Sequence, residues 1–142
     1  MLLNLDKTLR KKRKRQWPKL YWAIDLHGTI FKSTYSKEKD FKFYNNWERD
    51  FLKFLSSRID CVLILWTSTH KDDLLEYVSF LKKSGITFDY INENPECPST
   101  DISDFTNKFY FDILIDDKAG FIPERHWRAL YNKIKWLEKE LK

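Results

Sequence analysis

Apolar positions along this chain come in short runs that alternate with helical stripes. Leu20-Tyr21-Trp22-Ala23-Ile24 is a compact run closed by Asp25 and predicts a strand over 20–25. Residues 26–43 turn polar and aromatic, as a turn followed by a flap or hairpin would. Residues 45–57 predict a helix with Trp47, Phe51, Phe54 and Leu55 on one face, and Asn45 and Glu48 have capping-box spacing. Cys61 to Trp66 is uninterrupted apolar sequence, the signature of a strand covered on both faces. Residues 70–84 set Leu74, Leu75, Val78 and Leu81 at helical spacing, with Thr69 placed to cap the start and Gly85 to stop the end. Strands are predicted over 86–91 and 109–115, separated by a long loop over 92–107. A last helix spans 124–141, with Trp127, Leu130, Tyr131, Ile134, Leu137 and Leu141 at helical spacing and Pro123 near its start. The order predicts an α/β three-layer sandwich around an open, mostly parallel sheet. About five strands are expected, counting a short one near residue 121.

Composition adds one domain with a real core: 142 residues, 42% hydrophobic and 17% aromatic. No run approaches the roughly 18 apolar residues of a membrane span. The first residues lack an apolar core of signal-peptide length. The expectation is a cytoplasmic protein with no membrane partner. Cys61 and Cys97 make neither a disulfide framework nor a zinc pattern. Charge changes the picture more. Of the net +5, residues 1–20 carry +7 and the remainder −2. The basic centre is Arg10, Lys11, Lys12, Arg13, Lys14 and Arg15. We therefore divide the chain into a flexible basic tail over 1–19 and an α/β domain over 20–142. Such a tail is a solubilising arm or a site for polyanions, nucleic acid in particular, with Trp17 available to stack on a base.

The chemistry-bearing residues collect at the predicted strand ends, where parallel α/β sheets bind ligands. Asp25 closes the first strand, Thr67 and Ser68 follow the second, and Lys108 precedes the fourth, which Asp116 and Asp117 close. Two of only three glycines, Gly28 and Gly120, lie beside the carboxylates, as tight turns require. Taken singly, each residue has an ordinary structural explanation: an Asp in a turn, a Thr after a strand, a surface Lys. Together, in this order, they resemble the haloacid dehalogenase superfamily of phosphohydrolases, in a small branch without a cap domain. The resemblance covers about residues 20–137 and implies that superfamily's Rossmann-like fold. It also implies Mg²⁺ held by Asp25, Asp116 and the backbone carbonyl of His27, with Asp117 holding a metal-bound water or the lysine. Asp25 would be the nucleophile forming an aspartyl-phosphate, Thr67 and Ser68 would bind the phosphate, and Lys108 would stabilise charge.

One position departs from the pattern. The motif usually reads Asp-x-Asp-Gly-Thr, and here it is Asp25-Leu26-His27-Gly28-Thr29. The second Asp normally protonates the leaving group and activates water, work typically worth 10²–10⁴-fold. Three outcomes stand open: His27 replaces it as acid and base, the phosphoenzyme hydrolyses slowly, or the site binds without turnover. Asp25 to Thr67 spans 42 residues and Thr67 to Lys108 spans 41, leaving no room for a cap. An open site accepts phosphates on large molecules, such as nucleic-acid ends, or simple nucleotides. The expected activity is Mg²⁺-dependent phosphomonoester hydrolysis. The alternative is a catalytically impaired relative that binds nucleic acid or a phosphate ligand through the tail.

Overall fold

Cys61–Trp66 forms a strand whose first five residues are buried, as its unbroken apolar run requires. The computed structural model describes residues 2–33 and 41–140. Along the chain it has α1 (Leu2–Arg15), β1 (Leu20–Asp25), α2 (Asn46–Ser56), β2 (Cys61–Trp66), α3 (Lys71–Lys83), β3 (Tyr90–Ile91), β4 (Ile113–Ile115), α4 (Pro123–Tyr131) and α5 (Ile134–Glu140). The strands pair in parallel in the order β3-β2-β1-β4, with β1 and β2 at the centre.

Strand alternation splits the sheet into two faces. Leu20, Trp22, Ile24, Leu63, Leu65, Ile113 and Ile115 share one buried cluster with Phe51 of α2, Leu81 of α3 and Trp127 of α4. On the other face, Ala23 and Leu114 lie under Phe109 and Phe111, and Tyr21 meets the Tyr110 ring edge-on at 5.9 Å. Here the cover is the 92–112 connection. Right-handed crossovers explain the division: adding β2 and β3 in one direction puts α2 and α3 on one face, and returning past β1 to β4 puts the connection on the other. The result is a Rossmann-like three-layer α/β fold.

Several expectations change. Within the stretch 1–19, expected as a flexible tail, a helix packs against the domain. Residues 2–15 are helical, with Leu5 and Leu9 buried in the main cluster and Asp6 paired with Lys133 at 2.9 Å. The apolar stripe is short and hidden in sequence among cations, and Lys12 lies on it with its stem buried. The strand expected over 86–91 keeps only Tyr90–Ile91, because the Ile86 N–H instead closes the end of α3 on the Leu81 carbonyl at 2.9 Å. That over 109–115 begins at Ile113, because the Asp112 carboxylate accepts the Tyr21 N–H at 2.8 Å in place of a ladder carbonyl. The sheet has four strands among the described residues: Phe121 is buried but lies in no strand. The last helix is two, broken by a tightened turn in which the Lys133 N–H bonds back to the Leu130 carbonyl.

Helix ends and faces follow a mixed pattern. Asn45 caps α2 by accepting the Glu48 N–H at 2.9 Å, as its spacing predicted, and Gly85 follows α3 at φ +84°. His70, not Thr69, occupies the N-cap of α3. The buried stripe of α2 is Glu48, Phe51, Leu52 and Leu55, which turns Trp47 outward under the Arg128 guanidinium. That of α3 is Leu74, Tyr77 and Leu81, leaving Leu75 exposed. The middle of the expected flap, residues 34–40, and Leu141 lie outside the described residues.

Candidate active site

The register decides what meets at the carboxyl end of the sheet. Ile24 pairs with Ile115, so the next step along each strand brings Asp25 beside Asp116. This is also where connections leave for opposite faces, the crevice in which open α/β sheets bind ligands. One carboxylate oxygen from each of Asp25, Asp116 and Asp117 lies within 4.8 Å of the others.

Two tight turns hold this arrangement. After β1, the Leu26 carbonyl accepts the N–H groups of Ile30 at 2.9 Å and Phe31 at 3.0 Å, and the Gly28 N–H bonds to the Phe31 carbonyl at 2.7 Å. Gly28 sits at φ +84°, and a Cβ there would stand 2.6 Å from the Asp117 Oδ2 atom. Glycine is thus needed for both backbone shape and close approach. After β4, Asp116 caps a 3₁₀ turn over Asp117–Ala119, accepting the Lys118 N–H at 2.9 Å, and Gly120 at φ +95° ends it.

Thr29 links the two turns. It is fully buried; its hydroxyl donates to the Asp25 Oδ2 atom at 2.9 Å and accepts the Asp117 N–H at 3.0 Å. From behind, the Trp127 Nε1–H of α4 donates to the Thr29 carbonyl at 2.9 Å. Burial, partly opposed by the Thr29 hydrogen bond and reinforced by Asp116 and Asp117, pushes the Asp25 carboxyl up to about 7. The Asp116 carboxyl is also raised, first by burial. Three acidic side chains thus converge where two of them resist ionising, which is the electrostatic condition a bound cation relieves. The donors are all carboxylate oxygens, which suits a hard divalent cation.

The remaining sequence candidates sit apart from this cluster. The His27 imidazole is half-buried, edge-on to the Tyr77 ring at 5.0 Å, and burial lowers its pKa; it is not part of the acidic group. The Thr67 hydroxyl pairs with that of Thr69 at 2.7 Å. Thr67 and Ser68 line a groove of about 860 Å³ along α3, with His70 and the exposed Leu75. Lys108 makes no hydrogen bond or ion pair with the three carboxylates; it stands at an apolar cleft with Trp66, Phe109 and Phe111. Arg10, Lys11, Arg13, Lys14 and Arg15 are exposed along α1, while Lys12 is buried. Trp17, expected free to stack, packs partly buried against the core.

Sequence reasoning passed over three residues. Thr29 stood in the quoted motif but had no role assigned. Trp127 read only as a core position of its helix. Asn92, at φ +55°, fastens the loop after β2 by accepting the Thr67 N–H at 2.8 Å and donating to the Thr67 carbonyl at 2.7 Å. Nothing in its sequence context marks it.

Fold and site together define a Rossmann-like α/β protein with an acidic centre at the switch point of its sheet. No family model matches the chain, and no curated protein matches it. It is similar to the solved structure of a conserved protein from Bacteroides thetaiotaomicron, with 26% identity and a TM-score of 0.63, covering 83% of this chain and 91% of that one. No helix among the described residues is long and apolar enough to cross a membrane.

Proposed function

We propose that the protein is a divalent-metal-dependent phosphohydrolase acting on phosphomonoesters, with Asp25 as nucleophile. The observation that carries this reading is the convergence of Asp25, Asp116 and Asp117, with Asp25 held by the buried Thr29 hydroxyl. This placement and the motif Asp25-Leu26-His27-Gly28-Thr29 fit the resemblance to the haloacid dehalogenase superfamily. Asp25, Asp116 and Asp117 would hold the ion, a hard divalent cation such as Mg²⁺. Bound there, Mg²⁺ would offset the negative charge that shields phosphorus from attack.

The chain's own groups then divide the work. Thr29 fixes one Asp25 oxygen as a hydrogen-bond acceptor and leaves the other to attack. In the first step that oxygen bonds to phosphorus, the ester P–O bond breaks, and the released alkoxide takes a proton from water. In the second, water adds to phosphorus, gives up a proton to a base and frees the Asp25 carboxylate and inorganic phosphate. Burial lowers the His27 pKa, which favours the neutral imidazole over the imidazolium. That favours a base for the second step over an acid for the first. Leaving groups that need no acid, such as aryl oxides, are the preferred substrates.

Two observations favour a second reading, a site that binds metal and phosphate without turnover. Lys108 makes no ion pair with the carboxylates, and the His27 ring is engaged with Tyr77. Hydrolysis of an aryl phosphate, with and without Mg²⁺, separates the two in the native protein, Asp25→Asn and His27→Asp. Mg²⁺-dependent activity lost in Asp25→Asn is the expected result. Activity surviving Asp25→Asn would overturn the nucleophile assignment. A silent native protein that gains activity in His27→Asp would select the second reading.

A further inference from the structure

α1 has two unlike sides. Leu5, Leu9 and Lys12 face the core, at 2, 3 and 7% exposure. Lys7, Arg10, Lys11 and Lys14 follow i, i+3, i+4 and i+7 spacing on the opposite side, and all four are exposed. At 3.6 residues per turn they fall within about 100° of arc, in a stripe about 10 Å long. Among the described residues no carboxylate pairs with them: Arg10 reaches only the Asp6 backbone carbonyl at 3.4 Å, and the Asp6 carboxylate is taken by Lys133. Cations at this density repel one another, a cost an unpartnered surface helix has no internal reason to carry.

We propose that this stripe is a docking surface for the phosphate backbone of a nucleic-acid duplex. Four cations on a rigid rod match a partner that presents about one negative charge per 1.7 Å of its axis. Helix order favours the match, because the side chains are already on one face and no tail must be ordered on binding. A membrane surface fits less well. An interfacial helix inserts its apolar face between lipids, and here that face is spent on the core. The basicity is local as well, since the chain beyond residue 20 carries −2. Contacts of this kind read the backbone and not the bases, so binding is independent of sequence. The inference does not depend on the phosphohydrolase reading, because none of its residues belongs to the acidic site.

The test is fluorescence anisotropy of a short labelled DNA duplex titrated with the full chain at several KCl concentrations. Four phosphate contacts give a slope of log affinity against log salt of about −3.6, or roughly a hundredfold loss between about 50 and 200 mM. The variant Lys7→Gln/Arg10→Gln/Lys11→Gln/Lys14→Gln should lose binding while keeping the native circular dichroism and thermal midpoint, since all four side chains are exposed. Lys→Arg replacements at 7, 11 and 14 should restore it. No binding at low salt, binding that survives the glutamine variant, or binding to phosphatidylserine-containing vesicles but not to the duplex would each overturn the proposal.

Discussion

Thr29→Val is the most informative single change, because valine copies the shape of threonine and removes only the hydroxyl. Two hydrogen bonds go with it, from the hydroxyl to Asp25 at 2.9 Å and from the Asp117 N–H to the hydroxyl at 3.0 Å. The carbonyl bond from Trp127 is backbone and stays. A hydrogen bond to a charged group contributes about 1.5–3 kcal/mol, and a partly buried N–H left without an acceptor costs about 1–3. These overlap in one site, so about 2–4 kcal/mol is expected when Asp25 is ionised. With a urea slope of about 2 kcal/mol per molar, the unfolding midpoint should fall by about 1–2 M. The Thr29 bond favours the carboxylate, so its loss moves the Asp25 carboxyl further up from about 7. The stability penalty is therefore larger at pH 8 than at pH 5, where Asp25 is protonated with or without Thr29. Urea unfolding at the two pH values, with carboxyl-carbon NMR titration of Asp25, measures both effects. A midpoint shift below about 0.2 M, or an Asp25 titration that moves down, would refute Thr29 as the clamp between the two turns.

Two further outcomes test the fold. Leu9→Ala should destabilise the protein by about 2–4 kcal/mol, because Leu9 is 3% exposed in the main cluster; an unchanged thermal midpoint would return residues 1–19 to the status of a tail. Glu48 is fully buried, with Oε1 accepting the Tyr44 N–H and Oε2 without a partner, and burial pushes its carboxyl up to about 9. The folded protein thus keeps a proton that the unfolded chain gives up near 4.5, so the stability this group contributes is full below about 4.5 and falls as pH rises to about 9. Glu48→Gln keeps the acceptor and removes the titration. Its thermal midpoint relative to the native protein should rise steadily from pH 5 to pH 9, and a constant difference would contradict the buried, protonated carboxyl.

What the sequence made legible was what local pattern controls. Cys61 to Trp66 could only be a covered strand, Asn45 and Gly85 marked real helix boundaries, and the acidic residues at the ends of β1 and β4 did converge. The misses have physical causes. In α1, a two-leucine stripe was outweighed by eight cations in the first 20 residues, although helical spacing survives any charge on the opposite face. In α2 and α3, tertiary packing chose a stripe containing Glu48 or Tyr77 over the more apolar one containing Trp47 or Leu75. Asp112 imitates a backbone acceptor, which no apolar pattern encodes. In the site, spacing correctly gathered the carboxylates. The surroundings of Thr67 and Lys108 depended on a loop after β2 fixed by Asn92 and on an aromatic cover over 92–112, both set by contacts far apart in the chain.

The central place of β1 has a consequence for how the chain is made. Its backbone is paired on one side by residues 61–66 and on the other by residues 113–115. During synthesis β1 emerges well before β4, and one of its edges stays open until residues 113–115 have been released. Until then the cluster that buries Trp22, Ile24, Leu5 and Leu9 lacks Ile113, Ile115 and Trp127. An open, apolar strand edge is the usual point of entry for intermolecular pairing. Chains truncated before residue 113 should therefore aggregate rather than persist as soluble fragments.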